Sequence, residues 1–286
     1  MATIFCDTDS ELWYTHAEEY DVKVIRMPYA VDGEEAFADL GENFDAKEFF
    51  DRMRAGAKAI TSALNEEIYY DTFKPYFEKG EDILYIAFSS KMSGTFTSLD
   101  KAIERLHGEH PDVKFRRFDT LNICMGTGIL VYLGAKYFRE HGDDIDATYD
   151  YLQSIVSKVA VYFVVEDMKY LARGGRISPA KAKIANLMNI KPVLTVKEDG
   201  TLDVGSKQNG LKKAYNYMLE QFKEKYAQID GSAVTIIDAD NKDAADEIER
   251  RIREIDSNVT VWRQPVGPVV GVHAGPGTVG VIFTTK

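Results

Sequence analysis

Short apolar runs alternate with segments of helical periodicity over the first 165 residues of this 286-residue chain. The run at 82–88 reads Asp-Ile-Leu-Tyr-Ile-Ala-Phe, which is typical of a strand buried on both faces. Strands separated by single helices pair in parallel, because each crossover returns the chain to the same end of the sheet. The alternation therefore predicts an α/β fold with a doubly wound, mostly parallel sheet in the N-terminal part.

The individual elements follow from the same two periodicities. The predicted strands of this part are residues 3–6, 22–28, 82–88, 113–118 and 159–165. The predicted helices are residues 45–55, 66–78, 95–107, 126–141 and 146–157. Asp45 is the predicted N-cap of the first of these helices, because its carboxylate can accept from the unpaired N–H groups of the first turn.

The rhythm changes after about residue 165, which predicts a second domain. Arg173-Gly174-Gly175-Arg176 indicates a turn, and Glu198-Asp199-Gly200 indicates a hairpin between strands at 191–197 and 201–204. The remaining predicted elements are helices at 179–188, 211–226 and 243–255 and strands at 232–238, 259–264 and 279–284. We therefore expect two domains, residues 1–165 and 166–286, the second an α/β domain with a mixed sheet.

Charge and composition exclude several classes of function. The chain has 46 acidic and 35 Lys or Arg side chains, a formal net charge of −11. Such a surface repels phosphate, so we expect no nucleic-acid partner and at most transient membrane contact. Cys6 and Cys124 lie in or beside apolar runs and are predicted to be buried free thiols. No signal peptide and no 20-residue apolar span is evident, which predicts a cytoplasmic protein.

The loop at residues 89–95 is the strongest candidate for a binding site. Strand 82–88 leads directly into Ser-Ser-Lys-Met-Ser-Gly-Thr and then into a helix. In parallel sheets ligands gather at the carboxyl ends of strands, where a helix N-terminus attracts an anion. Gly94 permits close approach of a ligand, and Ser93 and Thr95 offer hydroxyl donors. The alternative is that one hydroxyl only caps the helix and that no ligand binds.

Other motifs in the chain give no support for catalysis, a metal or a cofactor. Ser-Pro-Ala-Lys at 178–181 lacks the companion motifs of a serine nucleophile. The Gly-x-Gly-x-x-Gly pattern at 275–280 is followed by only six residues, too few for a dinucleotide-binding βαβ unit. His107 and His110 precede Pro111 at a predicted helix end, which favours a solvated turn over a metal site.

His273 differs from the other histidines because it lies in an apolar, glycine-rich segment, Val-Gly-Val-His-Ala-Gly-Pro-Gly. One interpretation is a buried histidine whose hydrogen bonds are satisfied within the core. The other is a donor to an anionic ligand, because imidazole changes protonation near neutral pH.

Several short motifs, taken in order along the chain, resemble the DegV family of fatty-acid-binding proteins. These motifs are Asp7-Thr8-Asp9-Ser10, Thr61-Ser62, Ser89-Ser90-Lys91-Met92-Ser93-Gly94-Thr95, Asp119-Thr120, Tyr170-Leu171-Ala172-Arg173-Gly174-Gly175-Arg176-Ile177-Ser178, Asn189-Ile190-Lys191-Pro192-Val193-Leu194 and His273-Ala274-Gly275-Pro276-Gly277. The resemblance implies a two-domain α/β fold with a long-chain fatty acid buried in a tunnel between the domains. It implies that the hydroxyls of Thr61 and Ser93 hold the carboxylate.

The resemblance also implies a set of site residues and a partner. The ligand-binding residues that it implies are Thr61, Ser62, Ser93, Gly94, Thr95 and His273. Some members of the family hand their fatty acid to a separate kinase, which makes an acyl phosphate for phospholipid synthesis. Arg173 and Arg176 would then lie near the head group or on the surface that meets the kinase. The chain would be a non-catalytic carrier, with the fatty acid as its ligand and no cofactor.

Two other functions remain open at this point. One is a hydrolase or transferase that acts on a small carboxylate or phosphate at the same loop, with His273 or Asp7 as its acid or base. The other is a regulatory or scaffold protein in which a lipid only fills the core. A small polar ligand in the cavity would favour the enzyme over the carrier.

Overall fold

The structure is a computed structural model, and it describes residues 1–178, 180 and 190–286. The strands in these residues are β1 (Ala2–Asp7), β2 (Lys23–Ile25), β3 (Pro28–Val31), β4 (Glu34–Phe37), β5 (Ala59–Thr61), β6 (Asp82–Ala87), β7 (Phe115–Asp119), β8 (Val159–Val164), β9 (Ile190–Val196), β10 (Leu202–Asn209), β11 (Val234–Asp238), β12 (Val261–Pro265) and β13 (Val279–Thr284). The α-helices are α1 (Tyr14–Glu19), α2 (Ala46–Arg54), α3 (Glu66–Glu78), α4 (Phe96–Glu109), α5 (Met125–Glu140), α6 (Ile145–Ile155), α7 (Lys169–Arg173), α8 (Leu211–Lys225), α9 (Lys242–Ile255) and α10 (Pro268–Ala274).

The N-terminal part contains a four-stranded sheet in the order β2-β1-β6-β7, and each neighbouring pair is parallel. Alternate side chains of its strands face opposite ways. Phe5 and Ile83 pack with residues of α3 and α4, and Leu84 and Ile86 with residues of α5 and α6. Helices therefore cover both faces, which confirms the predicted parallel α/β sheet.

The C-terminal part contains a six-stranded mixed sheet in the order β10-β9-β8-β13-β11-β12. Only β11 and β12 pair in parallel in this sheet, which confirms the expected mixed sheet. Apolar residues of α8 and α9 cover one face. The opposite face meets α5, and Val161 comes so close to Gly126 that a Cβ there would overlap it. Strand β8 belongs to this sheet, and the division into domains at 165/166 stays a prediction.

A third, three-stranded antiparallel sheet in the order β4-β3-β5 was not predicted. The expected single strand at 22–28 is wrong, because the structure divides this region between β2 and β3. The hairpin between β3 and β4 turns at Asp32 and Gly33, which have φ of 53° and 89°. Both values lie in the left-handed region that Asp-Gly hairpin turns use. The third strand, β5, ends at Thr61 and so delivers this side chain to the site.

Several local predictions are confirmed. Asp45 caps α2, and its carboxylate accepts from Glu48 N at 2.9 Å. The turn at 198–200 joins antiparallel β9 and β10. Cys6 and Cys124 are buried free thiols. The helix predicted at 179–188 lies outside the described residues, apart from residue 180. In the described part of the chain, each helix is too short or too polar to cross a bilayer.

Candidate functional site

A cavity lies between the carboxyl ends of the parallel strands and the inner face of the six-stranded sheet. It contains about 1000 Å³ of space outside protein atoms, part of which is open to solvent. Phe88 and Met92 line it from the loop that follows β6, and Val161, Phe163 and Leu202 line it from the six-stranded sheet. A concave, mostly apolar space with a few convergent polar groups is typical of a small-molecule site.

The lining includes two hydrogen-bonded pairs of polar side chains. The cavity is lined by all six of the residues that the resemblance assigns to ligand binding, namely Thr61, Ser62, Ser93, Gly94, Thr95 and His273. Thr61 Oγ1 and His273 Nε2 are 2.9 Å apart, and Ser93 Oγ and Thr95 Oγ1 are 3.2 Å apart. The structure thus brings together side chains from β5, from the loop before α4 and from α10. Their role as ligands to a carboxylate stays a prediction.

The position of His273 depends on the short helix α10. Pro268 starts this helix at a position where its missing N–H costs no hydrogen bond. His273 Nδ1 lies so close to Gly174 that a Cβ at Gly174 would overlap the ring. Burial lowers the pKa of His273 to about 4, and the charges of Arg176 and Arg173 act in the same direction. The imidazole is therefore neutral at pH 7, and one of its two ring nitrogens is a donor.

The loop at residues 89–95 is held in shape by the buried Ser89. Its carbonyl accepts from the N–H groups of Met92 and Ser93, at 3.0 and 3.1 Å. Its hydroxyl donates to the carbonyl of Gly200 in the β9–β10 turn at 2.9 Å, which ties the two sheets together. The N-cap residue of α4 is Thr95, and its side chain makes no capping hydrogen bond. The Thr95 hydroxyl is therefore not the helix cap that was the alternative to a ligand contact.

The two candidate arginines occupy different places. Arg176 is half-buried and lines the cavity, and its guanidinium donates to the carbonyls of Met92 at 3.1 Å and Gly174 at 2.5 Å. Burial lowers its pKa. Arg173 is exposed, lies outside the described lining, and stacks its guanidinium 5.2 Å from the ring centre of Tyr170. Of the two, Arg176 is the one placed to face a ligand.

A second, more open space adjoins the cavity at Ser93 and Arg176. We call it the polar recess, and it is lined by Ser90, Lys91, Met92, Ser93, Gly94, Gly175, Arg176, Ile177, Ser178, Thr201 and Leu202. Because it shares Ser93 and Arg176 with the cavity, a head group bound there would lie next to the surface of the protein.

Three buried acidic side chains, Asp7, Asp9 and Glu11, lie at or just after the end of β1, and reasoning from the sequence missed the one that lines the cavity, Asp9. Burial raises the pKa of Asp7 to about 6, although Asp7 accepts from Tyr85 Oη at 2.6 Å. Burial also raises the pKa of Glu11 to about 8, although Glu11 accepts from Gly267 N at 2.6 Å. The available signal was a run of acids at the carboxyl end of a buried strand, where the chain turns into the site.

No three His, Cys, Asp or Glu side chains in the described part of the chain are grouped so that they could hold a metal ion. The glycine pattern at 275–280 has a different structural role from a dinucleotide loop. Gly275 ends α10 with a φ of 78°, and Gly280 lies within β13. The segment thus leads from a helix into a strand, the reverse of the order in a dinucleotide-binding unit.

Comparisons with known proteins agree over the full length of the chain. The sequence profile described as "Uncharacterised protein, DegV family" matches residues 1–286. A DegV domain-containing protein of Clostridium perfringens is 31% identical over 280 residues, 98% of this chain and 96% of the relative. The structure of a DegV family protein from Thermus thermophilus, described for its fatty-acid binding, covers 100% of this chain and 99% of its own at 25% identity and a TM-score of 0.85. A fatty-acid-binding DegV family protein from Streptococcus agalactiae has 27% identity, the same coverage and a TM-score of 0.85.

Proposed function

This chain belongs to the DegV family, and from that premise we propose that it binds a long-chain fatty acid in the cavity, with the carboxylate on Thr61 and Ser93. The observation that carries the proposal is a mostly apolar cavity whose lining includes the polar pairs Thr61–His273 and Ser93–Thr95. Each buried CH₂ of an acyl chain contributes about 0.8 kcal/mol, and a buried carboxylate needs hydrogen-bond partners. The fatty acids bound by related proteins from Thermus thermophilus and Streptococcus agalactiae support the same ligand class.

The hydrogen bonds of the site support a carrier rather than a hydrolase or transferase. His273 Nε2 lies 2.9 Å from Thr61 Oγ1. A hydroxyl that is hydrogen-bonded to a histidine is part of the geometry that a nucleophile needs. In known triads a third group orients the histidine through its other nitrogen. His273 Nδ1 is buried without a partner among the described residues. With a pKa lowered to about 4, mainly by burial, this imidazole is also a weak base.

We further propose that the protein presents its fatty acid to a separate kinase for phospholipid synthesis. The polar recess supports this, because Lys91 and Arg176 would lie beside a carboxylate at Ser93 and within reach of a phosphate group. The proposal requires that the loaded protein form acyl phosphate only when a fatty-acid kinase and ATP are both added.

Protein purified from its own cells is expected to carry fatty acid. The test is mass spectrometry of an organic extract of the pure protein, followed by reloading of the stripped protein with a fluorescent fatty acid. Unlabelled fatty acid should displace the probe, whereas a sugar acid of similar charge should not. An extract without acyl species, together with no uptake of the probe, would contradict the proposed function.

Replacement of Ser93 by alanine is expected to weaken fatty-acid binding by about 1 to 3 kcal/mol, because one acceptor of the carboxylate is left without a donor. Displacement titration of the fluorescent probe measures this change. Ser90→Ala is the matched control, because Ser90 lines the polar recess but not the cavity. Equal affinities of the Ser93→Ala variant and the unsubstituted protein would remove Ser93 from the site.

A further inference from the structure

Asp9 presents a buried carboxyl group to the cavity without a described partner. Its side chain is only 6% exposed and forms part of the cavity lining. Its Oδ1 atom is buried and has no hydrogen-bond partner in residues 1–178, 180 and 190–286. A buried charged oxygen without donors is costly, whereas a protonated carboxyl offers a hydrogen to an acceptor in the cavity.

The neighbouring Asp7 has the donors that Asp9 lacks. Asp7 accepts from Tyr85 Oη at 2.6 Å and from Asp9 N at 3.0 Å. Two carboxyl groups this close and this buried do not both ionise readily, and hydrogen bonds to one of them decide which keeps the charge. The negative charge of the pair therefore belongs on Asp7. Burial first, and then the charges of Asp7 and Glu11, raise the pKa of Asp9 well above its usual value.

Asp9 also lies near the hydroxyls proposed to hold the ligand. The pKa of Tyr69 is raised chiefly by burial, and among its other neighbours are the carboxylate of Asp9 and the hydroxyl of Thr95. Asp9, Ser93 and Thr95 line the same cavity. Arg176 is the cation whose charge lowers the pKa of Asp9.

Among the described groups that act on the pKa of Asp9, Arg176 is the cation, and Asp7 and Glu11 are the acids. His273 is neutral at pH 7, since burial lowers its pKa to about 4. Burial raises the pKa values of Tyr69, Tyr85 and Cys124, so these groups stay protonated and uncharged. With Asp7 ionised and Arg176 charged, the ligand carboxylate adds one negative charge. An ionised Asp9 would add a second within the same buried space.

We propose that protonated Asp9 donates a hydrogen bond to the carboxylate of the bound fatty acid, so that binding requires one proton on the protein. The inference rests on the proposed function and extends it. Where free Asp9 is ionised, one proton from solvent joins the carboxyl as the ligand enters, and the proton leaves with the ligand. A fatty alcohol carries no charge, so its binding imposes no such demand on Asp9.

The test is the affinity for dodecanoic acid and for dodecanol between about pH 7 and 9.5, a range in which the free acid is ionised throughout. For the unsubstituted protein, the Kd for dodecanoic acid should rise towards about tenfold per pH unit at the alkaline end, the limit for one linked proton. The Kd for dodecanol should stay flat. Calorimetry in buffers of different ionisation enthalpy should show uptake of up to one proton per molecule of acid bound.

Asp9→Asn keeps a hydrogen donor but cannot titrate, so its Kd for dodecanoic acid should be independent of pH. Glu11→Gln is the control, because the pKa of Glu11 is raised by burial to about 8, within the same range. The Kd for dodecanoic acid should still rise with pH in Glu11→Gln. Three outcomes would overturn the inference: a Kd for dodecanoic acid that does not change with pH in the unsubstituted protein, one that changes equally with pH in Asp9→Asn, or one that no longer changes with pH in Glu11→Gln. Failure to bind dodecanoic acid, dodecanol and a long-chain fatty acid at every pH would instead contradict the proposed function.

If Asp9→Asn does not fold, the proton count of the unsubstituted protein decides the question by itself. Uptake that approaches one proton towards the alkaline end of the range with dodecanoic acid, but not with dodecanol, supports the inference. Zero uptake with both ligands refutes it.

Discussion

Replacing Arg176 by methionine is expected to weaken fatty-acid binding roughly 100-fold to 1000-fold, or about 3 to 4 kcal/mol. Arg176 is half-buried and lines both the cavity and the polar recess. A carboxylate bound beside Ser93 would lose a cation that lines the same cavity but would stay buried, and removal of one partner from a buried charged pair is costly. Methionine keeps much of the length and apolar stem of the side chain. Displacement titration at pH 7 measures the change.

Two further variants separate the charge of Arg176 from its other contacts. Arg173→Met removes a charge from the same turn, but Arg173 is exposed and outside the described lining, so its effect should be less than about 1 kcal/mol. Arg176→Lys restores the charge without the fork that donates to Met92 and Gly174, and should recover part of the affinity. Equal losses in the Arg173→Met and Arg176→Met variants would show that long-range charge alone is measured.

Glu11→Gln is expected to change how stability depends on pH. Burial raises the pKa of Glu11 from 4.5 to about 8. Between these values the folded protein keeps a proton that the unfolded chain releases, so this group contributes most below pH 4.5, and its contribution falls as pH rises. The loss approaches about 1.4 kcal/mol per pH unit across the window and ends near pH 8. Glutamine can still accept from Gly267 N, but it does not titrate.

Urea unfolding of both proteins between about pH 5 and 9 measures this effect. As pH rises, the free energy of unfolding of Glu11→Gln should increase relative to that of the unsubstituted protein, because the variant has no Glu11 carboxyl to deprotonate. Asp7 and Asp9 titrate in both proteins, and because the charge of Glu11 also raises the pKa of Asp9, the difference between the two curves measures Glu11 together with its effect on Asp9. The exposed Glu18 provides the control, and Glu18→Gln should leave the curve unchanged. Parallel curves for Glu11→Gln and the unsubstituted protein would refute the prediction.

The longer elements could be predicted because their periodicity is local. The helix expected at 66–78 is α3 with the same bounds, and the strand expected at 82–88 is β6 with one residue fewer. The three-stranded sheet and α10 were not predicted, because strands of three or four residues and a helix of seven are too short to show a periodic pattern. The Asp32-Gly33 dipeptide is the one local signal in the sequence that indicates the hairpin between β3 and β4.

The site could be predicted only in part. Helical and strand periodicity says nothing about which distant residues meet, so the pairing of Thr61 with His273 came from the resemblance and not from the pattern. Arg173 and Arg176 flank the same two glycines, and only the geometry of the turn shows that Arg176 faces the cavity. Asp9 was visible as an acid after a strand, but its burial and its missing partner depend on tertiary packing.

The hydrogen bond between Thr61 and His273 joins residues 212 positions apart, and that between Ser89 and Gly200 spans 111 positions. Contacts of such high order form late in folding, because long loops must close before the contacts offset the lost chain entropy. The cavity walls thus exist only once both large sheets have assembled around α5. A ligand that binds only in the finished cavity stabilises the complete topology over partly folded chains, by a factor that grows with the ratio of ligand concentration to Kd.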